Sequence, residues 1–412
     1  MKKLVTFVLS LIVCLPVMAQ TPGYSASMIQ SHGKEWSADK AWDYVSGLVA
    51  KTILMYTAQY PDDDLSAQAY GWCKVYADRA IDADGNFYGF KKGSLDNIAS
   101  GKVLFDLYAR ELSVNPAGAE RYRRAADYLY RYLRYEYKRI TLDEGKNGFI
   151  HKDSYPYQMW LDGLYMGAAF YAEYLATFAP DDNEAWADIA LQFTTIHRHT
   201  YDAQKSLNYH GWSAKPSDSN SFWAKSSDPY KGCSQEFWGR GMGWYVAALV
   251  DVLALMPREH PDYAAVAEIF SQVADGIRRW QDPQSGVWYQ LLQYDDSYVS
   301  AGGLHNYLEA SASSMFTYAL FKGIRLGLLD HAEFSPVALK AYDGLISTFI
   351  TGNTDGGVDI HNICRSAGLG PSNKRERNGT ADYYLDGSDV TVVSNEGKGI
   401  GSFIMASLEY ER

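Results

Sequence analysis

The chain has 412 residues, a formal net charge of −11 and 47% hydrophobic residues, with 33 Tyr and 11 Trp among them. That apolar share supports a sizeable buried core and argues against a disordered chain. The acidic balance argues against nucleic acid as a partner, because a phosphate-binding groove needs clustered Lys and Arg.

Met1-Lys2-Lys3 is a short basic start, Leu4 to Val17 is apolar, and Ala19 is a small residue at its end. This pattern predicts a signal peptide over residues 1–19 and an exported, periplasmic protein. The apolar run is too short for a membrane span, and no later stretch reads as one. Residues 20–412 are then expected to form a single domain. Cys73, Cys233 and Cys364 remain in it. Three is an odd number, which excludes a complete disulfide framework but leaves one bridge open. No two of them have metal-ligand spacing, so they are not expected to hold a metal.

A polar turn, a Gly and a short aromatic or β-branched stretch recur along the chain, at Gly85, Gly148, Gly211, Gly286 and Gly356. Glycine supplies positive φ in such turns, and the neighbouring Asp or Asn caps its own backbone. Between the turns, apolar residues recur at spacings of three and four, which predicts helices. They fall at 98–112, 119–137, 159–178, 185–197, 243–255, 264–280, 310–328 and 336–350, with an opening helix at 37–56. Units of about 60 to 70 residues are unlike a tetratricopeptide array. Six helical hairpins predict an all-α, (α/α)6 barrel, with an open superhelix as the alternative. The recurring turns would then gather at one end and build a pocket.

Two carboxylates stand at matching points of consecutive units. Asp96 follows Lys92-Gly-Ser94-Leu, with Ser94 a candidate cap. Asp162 follows Tyr157-Gln158-Met-Trp160-Leu, with Pro156 suited to a helix start. Acidic residues are favoured near helix N-termini for structural reasons alone. Asp162, however, sits among Met159, Trp160, Leu161, Tyr165 and Met166. Apolar surroundings are expected to raise its pKa, as an acid catalyst requires. His151, Lys152 and His210 adjoin the second and third turns. In Trp238-Gly-Arg240-Gly-Met-Gly-Trp244, an Arg between two indoles offers a carboxylate clamp beside stacking platforms. Ser311, Ser313 and Ser314 lack a G-x-S-x-G elbow, which makes them caps or sugar hydrogen-bonders rather than nucleophiles.

Taken together, His151-Lys152, the segment Gln158-Met-Trp160-Leu-Asp162-Gly-Leu-Tyr-Met166, Leu95-Asp96, Tyr209-His210-Gly-Trp212, Trp238-x-Arg240-x-x-Gly-Trp244 and Ser311-x-Ser313-x-Met315 resemble the unsaturated rhamnogalacturonyl hydrolases, glycoside hydrolase family 105. The tail, Cys364-Arg-Ser-Ala-Gly-Leu-Gly370 with Asp382-Tyr-Tyr384, departs from the Cys-x-Gly-Thr form of some members. The resemblance implies an (α/α)6 barrel without a cofactor. The implied substrate is an anionic oligosaccharide, already cut by a lyase, with a Δ4,5-unsaturated uronic acid at its non-reducing end. It implies that Asp162 protonates C4 and activates water for C5, with Asp96 assisting. Lys152, His210 and Arg240 would contact carboxylate or hydroxyls, together with His151 and Ser313, and Trp160, Trp238 and Trp244 would form stacking walls. Two other readings stand beside it: the neighbouring family 88 of unsaturated glucuronyl hydrolases, and a non-catalytic periplasmic sugar-binding protein. The oligomeric state is not legible.

Overall fold

The computed structural model describes residues 23–412, so the expected signal segment 1–19 lies outside the described residues. Helical segments follow one another as α1 (24–36), α2 (Tyr44–Gln59), α3 (Asp64–Asp78), α4 (96–114), α5 (116–136), α6 (161–178), α7 (Asn183–Thr200), α8 (Gly239–Leu255), α9 (Tyr263–Arg279), α10 (Ala310–Arg325), α11 (His331–Phe349) and α12 (Gly397–Tyr410). Many begin on an acidic cap. Asp43, Asp63, Asp182, Glu309, Asp330 and Glu396 each accept a backbone N–H at the start of α2, α3, α7, α10, α11 and α12. A carboxylate satisfies free N–H groups there and complements the helix dipole.

The even-numbered helices are buried around most of their circumference; α12 is buried continuously from Gly397 to Glu409. A helix apolar on all sides belongs to an inner layer. Each even helix packs on the next, and α12 packs back on α2, closing the ring. The odd helices form the outer layer, α3 on α2 through α11 on α10, with α1 covering α12. This is an (α/α)6 barrel. At the closing seam a Cβ on Gly401 would lie 2.6 Å from Leu48 Cγ, so glycine allows α12 to approach α2 closely.

All five recurring glycine turns fall on segments that lead into inner helices, and these segments surround one mouth of the ring. Gly85, Gly286 and Gly356 have φ of +83°, +79° and +80°. Two sequence expectations need correction. The opening helix 37–56 is broken, because the Asp43 side chain turns back to cap Val45 and Ser46 and starts α2 afresh. The helix expected from Met159 begins at Leu161. Gln158–Trp160 is instead a strand paired antiparallel with Gly211–Ser213, and Pro156 lies in the turn before it. Cys73, Cys233 and Cys364 are all free and buried, so the open disulfide is not formed. Among the described residues no helix is long and apolar enough to cross a membrane.

Beyond the mouth, the ring interior holds a charged layer. Lys51 bonds both Asp106 and Glu173 at 2.6 Å, and Lys322 bonds Asp251 at 2.6 Å. Lys102 has no hydrogen-bond partner there; its Nζ lies 3.2 Å from the centroid of the Tyr165 ring. Burial pushes its pKa down to about 7, against the opposing pull of Glu173 and Asp251. Between that value and the ordinary lysine range the unfolded chain binds more protons than the folded one. The cost of burying Lys102 is therefore complete below about pH 7 and fades as pH rises. Lys102→Met is expected to raise the melting temperature by several degrees at about pH 6, with a smaller gain at about pH 9. Thermal unfolding of both proteins at the two pH values checks this.

Candidate active site

Backbone pairing at the mouth brings the predicted residues together. Trp160 pairs with Gly211 across the short sheet, and the Leu161 N–H donates to the His210 carbonyl at 3.0 Å. That register places Asp162, in the first turn of α6, beside the His210 ring. The helix continues through a π-helical turn, 164–168, whose residues are all buried. Such turns recur at functional positions in helices. A second pairing joins Ser94 to Lys152, with the Leu95 N–H donating to the His151 carbonyl at 3.2 Å. It sets Asp96, at the start of α4, against His151 and Lys152. The Ser94 hydroxyl accepts the Asp96 N–H at 3.3 Å, in keeping with its expected cap.

Asp162 Oδ2 lies 3.0 Å from His210 Nε2, and His210 Nδ1 lies 2.6 Å from the Tyr384 hydroxyl. Burial holds the Tyr384 phenol well above its ordinary pKa, so its O–H stays protonated. The His210 Nε2–H donates to Asp162. Burial pushes the Asp162 carboxyl up, but His210, by charge and hydrogen bond, outweighs it, and the net shift is downward. The expectation of a raised pKa is therefore overturned for the unliganded site. The apolar neighbours supply desolvation, and the His210 imidazole more than offsets it.

Asp96 Oδ2 lies 2.6 Å from Lys152 Nζ, and its Oδ1 lies 3.6 Å from His151 Nε2. His151 is buried; desolvation brings its pKa down to about 4, which leaves a neutral ring at physiological pH. Asp96 and Asp162 retain 16% and 13% side-chain exposure, enough to present an edge to the mouth. Tyr44, the first residue of α2, completes the group. Its phenol is raised by burial, then by Asp96, with weaker contributions from Glu396 and Asp162 and an opposing one from Arg240.

The aromatic residues form a frame rather than open platforms. Trp160 stacks on His151 with centroids 4.4 Å apart and on Tyr155 at 4.7 Å. Trp238 packs against His210 and Tyr384 at 4.6 and 5.9 Å. Trp244, in the second turn of α8, packs on Tyr165 at 4.7 Å. All three indoles are buried, as is Trp212, which stacks on His199 away from Asp162. Arg240 is also buried: it donates to the Cys364 carbonyl and approaches Ser311 Oγ at 3.4 Å, while Glu309 stands 3.9 Å away. It is not an open clamp, because the tail segment and the α10 cap already occupy its Nη1. Ser313 is fully buried and accepts the Trp288 N–H at 3.0 Å, so it serves the inner layer rather than a sugar.

Sequence reasoning missed Tyr384, Tyr44 and Lys398. Lys398 is buried and pairs with Glu396, its Nζ 5.9 Å from the Tyr44 ring centroid. The departure of the tail was the available signal for Tyr384 and Cys364, since it is this tail that backs His210 and Arg240.

The profile of Glycosyl Hydrolase Family 88 matches residues 23–412. The chain belongs to that family. It is a glycosidase of the unsaturated-uronyl-hydrolase type, and the resemblance to family 105 is met by a solved structure. The Clostridium acetobutylicum family 105 glycoside hydrolase is 35% identical, with a TM-score of 0.82 over 94% of this chain and 99% of its own. Protein Atu3128 of Agrobacterium fabrum is 36% identical over 59% of this chain and 97% of its own length. The unsaturated rhamnogalacturonyl hydrolase YesR of Bacillus subtilis is 26% identical over 42% of this chain and 43% of its own.

The Tyr384 hydroxyl is expected to orient His210 without touching the sugar. Losing one buried hydrogen bond of this kind costs about 1–3 kcal/mol. Tyr384→Phe should therefore lower kcat by about ten- to a hundredfold with little change in KM. A loss confined to KM would place Tyr384 in substrate binding instead.

Proposed function

We propose that this protein removes a Δ4,5-unsaturated uronic acid from the non-reducing end of lyase-cut pectic oligosaccharides of the rhamnogalacturonan type. The observation that carries the reading is the buried Asp162–His210–Tyr384 chain at the mouth of the ring. The unsaturated sugar is an enol ether. A proton from Asp162 to C4 leaves a cation at C5 that the ring oxygen stabilises. Asp162, now a carboxylate, takes a proton from the water that adds to C5. The resulting hemiketal opens, the C1–oxygen bond to the neighbouring sugar breaks, and that sugar leaves as an alcohol. One carboxyl group thus serves as acid and then as base, unlike the usual pair of carboxylates. Asp96, fixed by Lys152, positions the sugar. The negative charge of the incoming substrate raises the Asp162 pKa and favours the protonated form that the first step needs. Lys152 and His210 border the space that the uronate enters. Buried Arg240 contributes its positive field from beneath.

Pectic over glycosaminoglycan fragments is supported by the rhamnogalacturonyl activity named for a relative, while unsaturated glucuronyl hydrolases share the fold. We also propose periplasmic delivery through residues 1–19, on the sequence pattern alone.

Hydration removes the conjugated chromophore. Ultraviolet absorbance should therefore fall when the protein meets unsaturated galacturonyl-rhamnose, and more slowly with unsaturated glycosaminoglycan disaccharides. Asp162→Asn should lower the rate at least about a thousandfold, the scale expected when an essential proton-transfer group is lost; an unchanged rate would remove Asp162 from the mechanism. Because the free-enzyme Asp162 pKa is lowered and its protonated form reacts, kcat/KM should fall as pH rises from the acid side. The kcat profile, which reports the bound state, should extend to higher pH.

A further inference from the structure

Beside Asp96 a groove of about 710 Å³ runs outward between the segment before α2 and the loop before α4. Its lining reaches Asn97 and Asp43, the chain neighbours of Asp96 and Tyr44. Trp42, Phe87, Tyr88 and Phe90 line it, together with Arg79 and Lys91. Its aromatic side is held in place. Tyr76 stacks on Trp42 with centroids 5.4 Å apart and an 11° interplanar angle, Phe87 packs at 5.3 Å, and the Trp42 indole N–H donates to the Asn97 carbonyl at 3.4 Å. The Asn97 amide in turn donates to the Lys91 carbonyl at 2.7 Å, fixing the loop against α4. Tyr88 is 67% exposed, a large aromatic surface turned to solvent. Arg79 donates to the Ala38 carbonyl through Nη1, and among the described residues neither it nor Lys91 forms an ion pair with a carboxylate.

Three cations, Lys40, Arg79 and Lys91, stand there against Asp39 and the helix cap Asp43; preformed aromatic faces with that balance fit a ligand that is flat, hydroxylated and anionic. On the other side of the mouth a cavity of about 460 Å³ carries Leu304, Leu385, Val390 and Val392 but no lysine or arginine. Its chemistry does not suit an anionic sugar chain.

Resting on the hydrolase reading above, we propose that the 710 Å³ groove binds the reducing-side continuation of the substrate, sugars beyond the first two, with Tyr88 stacking on a pyranose ring and Lys91 and Arg79 pairing with a uronate carboxylate. The enzyme then favours oligosaccharides longer than a disaccharide. The preference is set outside the catalytic residues.

The test compares an unsaturated disaccharide with the unsaturated tetrasaccharide cut from the same uronate-containing polymer. Wild-type kcat/KM should be about tenfold higher for the tetrasaccharide, equivalent to about 1.4 kcal/mol. The double variant Tyr88→Ala/Lys91→Ala changes two exposed side chains. It should bring the tetrasaccharide down to the disaccharide value while leaving disaccharide kinetics unchanged. Added salt should shrink the wild-type preference. Equal wild-type values for the two substrates, or a double variant that keeps the preference, overturns the groove assignment alone. Wild-type protein that turns over neither substrate overturns the hydrolase reading and the groove's role with it.

Discussion

The structure around the mouth depends on one buried contact, the hydrogen bond between Asp162 and His210. An isolated carboxylate this far from water is costly, and a neutral hydrogen-bond donor alone offsets only part of that cost. His210 makes the site tolerable because it is itself held on its far side by Tyr384. Each member of the chain comes from a different part of the sequence: α6, the segment before α8, and the tail before α12. Ring closure is therefore what assembles the site, and no single hairpin contains it.

Asp96 is held differently. Its partner Lys152 is more exposed and is brought against it by the Ser94–Lys152 backbone pairing. The two carboxylates thus occupy distinct electrostatic settings, one against imidazole and one against an ammonium. Environments that separate two acids in this way divide their roles. The frame of Trp160, Trp238 and Tyr155 fixes the rings of His151 and His210. Rigid positioning of catalytic groups by packed neighbours avoids reorganisation when charge develops in the reaction.

Much of this was legible in the sequence, for physical reasons. Helix periodicity and recurring glycine turns encode the ring and the end at which its loops gather. Asp162 stood out because a carboxylate among Met159, Trp160 and Tyr165 is awkward to bury without purpose. What was not legible depends on contacts distant in sequence. Nothing near Asp162 announces that Tyr384 will stand behind His210. Arg240 looked like an open clamp because sequence shows its flanking indoles but not the Cys364 carbonyl that occupies it. The Asp162 pKa was misjudged for the same reason: local apolarity was visible, and the contact with the His210 ring was not. Trp160 and Trp238 read as sugar platforms, yet their faces are taken by histidine and tyrosine. The aromatic surplus is chiefly scaffold, with Tyr88 an exposed exception in a groove beside the site.

The central claim is that Asp162 delivers a proton to C4 of an unsaturated uronide. Proton NMR of the reaction in heavy water tests it most directly. The account predicts that the vinylic H4 signal disappears in step with release of the neighbouring sugar, and that one solvent deuteron is found on C4. Release of the sugar from a uronide that keeps its vinylic H4 would contradict it.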